Sequence, residues 1–459
     1  MKALARSLTI ISLLAFVNAM TLASATSSTV TPAAGLKKMR IDFKETTLKN
    51  GLRVITLEER FAPVITLSMS YRVGSANEKK GRTGLAHLFE HMMFKGSKNV
   101  ASGEHNALVS INGGGTNART LPDRTVYFQT LSSNQLDLVL FLEADRMRSL
   151  EITRENLDNQ RAAVKEERRL NIDNQPYGKS QELQIELLYD DFAYKHIVMG
   201  SMDDLTAASI EDVSEFFRIH YAPNNAVLVL VGDFKTADAL AKIKKYFEDI
   251  PRQPAPAEVK LTEPEQKSER RATVEDALAR LPQIDIAFKA AAGNTKDFYA
   301  LRLLSNILLG GQSSRLNQKL VREKEMATRV TGMMEELRGP GGFYISATLR
   351  QNVKTEDVEA VIYEEIERLR KEPLTDTEVE KAKNFEKRTF INSIQNSLGR
   401  SLRLAHYAVD YNEPDLINTW TDKVTAITKE DLQRAANKYL GSTSRTVVIT
   451  VPKPKSTAK

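Results

Sequence analysis

Apolar and polar residues alternate along Val64–Tyr71 (VITLSMSY), so the pattern predicts a strand with one face buried. Gln283–Phe288 repeats that alternation far downstream, and Ala226–Gly232 and Arg445–Val451 are short β-branched runs of the kind that fill the middle of a sheet. Helical spacing of apolar positions predicts helices over Thr236–Ile250, Thr355–Lys371 and Thr375–Gln395. Thr116–Thr120, the Pro122-Asp123 turn and Thr125–Phe128 read as a hairpin. Between the two sets of strands, residues 251–271 (PRQPAPAEVKLTEPEQKSERR) hold four prolines and almost no apolar periodicity, which predicts a semi-rigid linker. The expected organisation is α+β: two homologous rolls of sheet and helix, 40–250 and 272–459, related by duplication and joined by that linker. A cleft between them is the expected place for a site.

The remaining N-terminal segment has its own pattern. Lys2 and Arg6 precede an apolar run, Leu8 to Leu22, that ends in Ala23-Ser24-Ala25, as expected of a cleaved secretory signal over residues 1–25. With no other run long enough to span a bilayer, the mature chain is expected in a bacterial periplasm or secreted.

Composition narrows the chemistry. The 459 residues contain no cysteine, which excludes disulfides, thiolate metal sites and a cysteine nucleophile. Any metal must be held by the six histidines or by carboxylates. The net charge of +6 is spread among alternating acids and bases, without the basic-aromatic interleaving of a nucleic-acid surface, so no nucleic-acid partner is expected. Gly113-Gly114-Gly115 lacks the Gly-Lys-Ser/Thr ending of a phosphate loop and reads as a plain loop.

One segment concentrates the chemistry. Thr83–Gly96 (TGLAHLFEHMMFKG) predicts a short helix, Thr83 as its N-cap, that is apolar nearly all round and therefore buried. His87 and His91 are i and i+4 on one face, where two imidazoles can converge on one ion; Glu90 lies beside them, able to carry a proton from water. A zinc site needs a third protein ligand, best supplied by the helical pattern Thr153–Leu170. Taking Leu157 and Val164 as its inward stripe, Glu167 lies roughly 60° from Val164 and Glu166 roughly 160° away, so Glu167 faces inward and Glu166 faces solvent. The other four histidines have no ligand spacing to one another: His105 in a polar loop, His196 after an aromatic-rich loop, His220 before a turn and His406 on an amphipathic helix.

His87-x-x-Glu90-His91, with Glu167 76 positions beyond His91, resembles the inverted-motif zinc metallopeptidases related to pitrilysin, insulysin and the mitochondrial processing peptidases. The resemblance extends to Thr116–Thr120, Tyr221–Val227 and Gly310–Leu316. It implies a clamshell of two α+β domains. It also implies one Zn²⁺ on His87, His91 and Glu167, Glu90 as the base for an attacking water, and peptide added as a strand near Asn117 and Ala118. Two departures stand out. Gln160 occupies a position, seven before the third ligand, that the family often fills with glutamate. Family members also carry an Arg and a Tyr seven apart after Ser-Ser-Arg-Leu; here the arginine matches Arg322, but the tyrosine position is Arg329. The expected function is therefore a zinc endopeptidase completed by a homologous partner chain bearing the Arg/Tyr pair, in a heterodimer. The rivals are a structural subunit of the same fold and a peptide-binding subunit.

Overall fold

Strand β3 explains how the molecule is layered. Its Ile65, Leu67, Met69 and Tyr71 enter one apolar core, while Thr66, Ser68 and Ser70 give the opposite face a row of small hydroxyls. The computed structural model describes residues 40–453, so the segment 1–25 read as a signal lies outside the described residues. Among the described residues no helix is long and apolar enough to cross a membrane.

The first sheet contains β1 (Lys44–Thr47), β2 (Arg53–Glu58), β3 (Val64–Tyr71), β4 (Gly115–Thr120), β5 (Thr125–Ser132) and β6 (Ala226–Gly232), side by side as β1-β2-β6-β3-β5-β4. The second contains β7 (Arg270–Asp276), β8 (Gln283–Ala292), β9 (Ala327–Met334), β10 (Pro340–Leu349) and β11 (Arg445–Pro452), ordered β7-β11-β8-β10-β9. With β1 set aside, the two orders are the same: first, last, second, fourth, third. In each, the first and last strands pair in parallel and the other pairs are antiparallel. The internal duplication is thus a property of topology as well as of pattern. Strand β7 begins at Arg270, two residues inside the stretch read as linker, because Arg271, Thr273 and Glu275 are exposed and the residues between them only half-buried, too polar a pattern to show as a strand. The stretch is also tied down: Gln253 exchanges hydrogen bonds with Asn224 (2.9 Å each way), and Gln266 Nε2 donates to Arg445 O (2.7 Å).

The two rolls form the valves of a clamshell, latched by an exchange of helices. Helix Ser397–Tyr411, from the second half, packs on β3 and β6 of the first sheet. Ser401 Oγ lies 2.7 Å from Ser68 Oγ and Ser397 Oγ 3.0 Å from Thr66 Oγ1. Conversely, helix Gly178–Leu188 of the first half lies against β7, β8 and β11, where Ser180 Oγ meets Thr450 Oγ1 at 2.5 Å. Small hydroxyls suit both seams because they let helix and sheet approach closely while satisfying each other's polar groups. The apolar core under the second sheet accordingly continues into Ile55, Val227, Val229 and Val231 of the first.

Candidate metal centre

Helix Leu85–Met92 carries the two histidines, and it is short and almost wholly sunk in the core. Phe89 is fully buried, its ring centroid 4.2 Å from that of Tyr221; burial of one such side chain stabilises by about 1.5–3 kcal/mol. The helix starts two residues later than Thr83. Gly84, at φ +83°, occupies the N-cap in a left-handed conformation that suits glycine, and a Cβ there would meet Met199 O at 2.7 Å. Thr83 instead donates to Asp204 Oδ2 from its N–H (2.9 Å) and its hydroxyl (2.6 Å). The cap comes from outside the helix: Glu78, buried, accepts from Gly84 N–H (2.9 Å) and Ala86 N–H (2.7 Å), and His196 Nε2 stands 2.9 Å from the same carboxylate. A carboxylate there faces the positive end of the helix dipole.

The third residue comes from helix Arg154–Arg168, which Thr153 caps by accepting from Asn156 N–H (3.1 Å). Leu157, Gln160 and Val164 line its buried face. Glu167 turns toward the histidines, with Oε2 3.2 Å from His91 Nε2 and 3.8 Å from His87 Nε2. Glu166 points away and pairs with Arg169 at 2.9 Å. One donor atom from each of His87, His91 and Glu167 lies within 4.8 Å of the others. Burial, and then the neighbouring His91, pull the His87 pKa down to about 4, so its ring is neutral at neutral pH. Burial lowers His91 as well, against Glu167 and Gln160, which favour its charged form. Among the described residues Glu167 has no lysine or arginine partner. Two neutral imidazoles and a carboxylate without a counter-charge are the donor set a divalent ion such as zinc fits.

Glu90 is on the same helix, half-buried, and its Oε2 accepts from Thr120 Oγ1 at 2.5 Å. Burial raises its pKa; the Thr120 bond opposes and the Glu167 charge adds to the rise. Thr120 ends β4, the outermost strand of the sheet, so the helix sits beside an unpaired strand edge. Asn117 and Ala118 are on that edge strand, Asn117 exposed and Ala118 half-buried, and Asn117 Oδ1 accepts from Ala118 N–H at 2.8 Å.

The other expected residues lie elsewhere. Arg322, in the helical segment Asn317–Glu323, donates to Gln312 Oε1 (2.7 Å), and Arg329 is exposed on β9. His105 is buried in helix Glu104–Ile111 rather than in a loop, its ring edge-on to Phe94. Glu78 and His196 were missed. A carboxylate seven residues before a helix and a histidine 118 residues later carry no shared spacing from which a pair can be read.

The sequence profile described as "Insulinase (Peptidase family M16)" matches residues 53–196, and that described as "Peptidase M16 inactive domain" matches residues 207–385. The zinc protease PqqE of Helicobacter pylori is 33% identical over 88% of this chain and 92% of its own length. The crystal structure of a protease from Helicobacter pylori superposes with a TM-score of 0.85 at 32% identity, covering 90% of this chain and all of that one. The periplasmic protease PqqL from Escherichia coli shares the fold at 19% identity and a TM-score of 0.75, but the match takes in 92% of this chain and only 48% of PqqL. With both profiles in order along one chain and a third of its residues shared with PqqE nearly end to end, this protein belongs to the insulinase (M16) family of peptidases.

Proposed function

We propose that the chain is a zinc-dependent endopeptidase in which His87, His91 and Glu167 hold one Zn²⁺ and Glu90 moves the proton. The observation that carries this is the convergence of two neutral imidazoles and a carboxylate without a cationic partner, next to an open strand edge. Zinc bound there supplies a Lewis acid that polarises a peptide carbonyl and makes water a usable nucleophile near neutral pH. Glu90 takes a proton from the attacking water and gives it to the leaving amine, and the hydrogen bond from Thr120 fixes the carboxylate's direction. Gln160 orients His91. Peptide adds to β4 as a further strand, and Asn117 releases the Ala118 N–H to the incoming backbone.

A homologous partner chain supplies the Arg/Tyr pair. Support comes from the second half, where Arg322 is engaged by Gln312, Arg329 replaces the tyrosine and no tyrosine occurs in residues 317–334. It also comes from the match to about half of PqqL, as expected if two such units make the whole. The N-terminal pattern and the periplasmic description of PqqL support a periplasmic site of action. The second reading, a peptide-binding or structural subunit without turnover, is favoured by the inactive-domain profile over residues 207–385.

Hydrolysis of a quenched peptide, with zinc content measured alongside, separates these readings. Chelator-sensitive cleavage that rises with a homologous chain carrying the Arg/Tyr pair is expected. Cleavage at full rate by this chain alone overturns the composite site, and zinc-loaded protein inert with that partner overturns the peptidase reading.

A further inference from the structure

Strand β4 has two faces, and only one looks toward the metal helix. Thr120 bonds Glu90 on that side and Ala118 packs into the same core. Arg119 lies on the opposite face, in register with Val126 of β5, which is in register with Ser70 of β3. This row continues the hydroxyl face on which helix Ser397–Tyr411 rests. Beside the helix the row opens into a cavity of about 320 Å³ lined by Ser70, Arg119, Arg124, Val126, Arg403 and His406 among others, and no carboxylate lines it.

The charges in this cavity do not balance. Arg124 is neutralised by Asp410, which lies behind the wall, and His406 Nε2 is 3.2 Å from the same carboxylate. Arg403 meets only hydroxyls: its Nε donates to Ser393 Oγ at 3.2 Å, and the Tyr407 hydroxyl lies within reach of its charge. Among the described residues Arg119 has no ion-pair or hydrogen-bond partner for its guanidinium. Two guanidinium groups without an ion pair, Arg119 from the outermost strand and Arg403 from the helix, therefore share one concavity, Arg119 acting only at longer range on Glu90, whereas the other arginine in it is paired. Guanidinium is a planar donor fork that suits carboxylate oxygens.

Strand geometry connects the cavity to a bound peptide. In a peptide laid along β4, successive side chains point to opposite faces, so every second residue faces away from the metal helix. The residue beside Arg119 on that face directs its side chain into the cavity. We infer that this cavity is a carboxylate subsite, and that the enzyme selects peptides presenting an acidic side chain, or their C-terminal carboxylate, to Arg119 and Arg403. The inference rests on the peptidase reading for the strand-addition mode, and adds a substrate class to it.

Fluorescence anisotropy on the full-length, zinc-loaded Glu90→Gln chain tests binding without turnover. The probes are one neutral parent peptide and variants with Gln, Glu or Lys at each position in turn, each made as a free acid and as a C-terminal amide. Glu at one position, or at positions two apart, should bind about tenfold more tightly than Gln, with Lys weaker than both. If the tenfold gain instead follows the free acid over the amide while the scan is flat, the cavity takes the C-terminus and the carboxylate subsite stands. Arg403→Glu should abolish or invert the preference. Arg119→Glu, on an exposed edge where folding is not at stake, should do the same independently. Equal binding of all peptides, no binding of any, a preference for Lys, or a Glu preference that survives both reversals overturns the subsite. Selective binding of peptides that the unsubstituted chain and its partner never cut overturns the peptidase reading and leaves the subsite intact.

Discussion

Replacing Glu78 should loosen the helix that carries His87 and His91 without touching any of the three proposed ligands. The carboxylate is buried and accepts from Gly84 N–H, Ala86 N–H and His196, at 2.9, 2.7 and 2.9 Å. Glu78→Ala leaves the two helix amides without their acceptor, each worth about 1–3 kcal/mol if it stays dry, while His196 Nε2 keeps Ser75 O at 3.2 Å. Against this, burial of the charge is already costly: it raises the Glu78 pKa despite His196 and the two amides. The two effects oppose, and the net loss should be about 3 kcal/mol, below the simple sum. Glu78→Gln keeps one acceptor oxygen and removes the charge, so it should cost about 1 kcal/mol.

The pH dependence has a definite sign. Because the folded-state pKa lies above the ordinary 4.5, the stability Glu78 contributes is complete below pH 4.5 and declines as pH rises through the raised value. The Gln variant lacks that slope, so its deficit should shrink between pH 4.5 and neutrality. Urea titrations at several pH values, followed by circular dichroism and by the fluorescence of Trp420, the chain's one tryptophan, measure these quantities. Zinc affinity should fall about tenfold in Glu78→Ala although all three proposed ligands are unchanged. An alanine variant within about 0.5 kcal/mol of the parent, with unchanged zinc affinity, would refute the capping argument.

Four further outcomes can be checked. Glu90→Gln should retain zinc by elemental analysis and lose about 10²–10⁴ in kcat, whereas His87→Ala should lose both. A single protease cut within residues 251–268 should leave the two halves co-eluting at the parent size in gel filtration, since the exchanged helices hold each sheet to the other half. Arg124→Met takes from Asp410 its arginine partner, leaving His406 at 3.2 Å, and should cost about 3 kcal/mol in a denaturant titration. Burial works to raise the Asp410 pKa, but Arg124 and His406 hold it below 3.8, so its contribution should be lost only as pH falls through that lowered value.

Much of the site was legible because its residues lie on single elements with fixed periods. His87, Glu90 and His91 share one helix, and the choice of Glu167 over Glu166 followed from angle alone; the Glu166–Arg169 pair on the outer face agrees with it. Strands β3 and β6 were legible end to end because each is apolar on a strict or continuous pattern. Strand β9 was not. Its buried residues, Ala327, Val330 and Met334, are three and four apart, a spacing nearer a helix than a strand, because an outermost strand has exposed residues on both faces. The Glu78 cap was illegible for another reason: it joins a turn, a helix start and a histidine brought together only by the fold. The amphipathic period of Ser397–Tyr411 announced a buried face but could not say which sheet would cover it.

That last helix sets the order in which the chain can mature. The hydroxyl row of β3 waits for residues more than 330 positions later, since Ser68 meets Ser401. Contacts of such sequence separation form slowly. A chain emerging N-terminus first therefore carries a first sheet with one face bare until nearly all of it has been made, and that half-finished surface invites misassembly. The candidate metal centre belongs to this first half, so an incompletely synthesised or truncated chain would hold His87, His91 and Glu167 and still lack the cover of the first sheet's other face. Loss of the last helices should thus show itself as a folding defect rather than as a fault in chemistry.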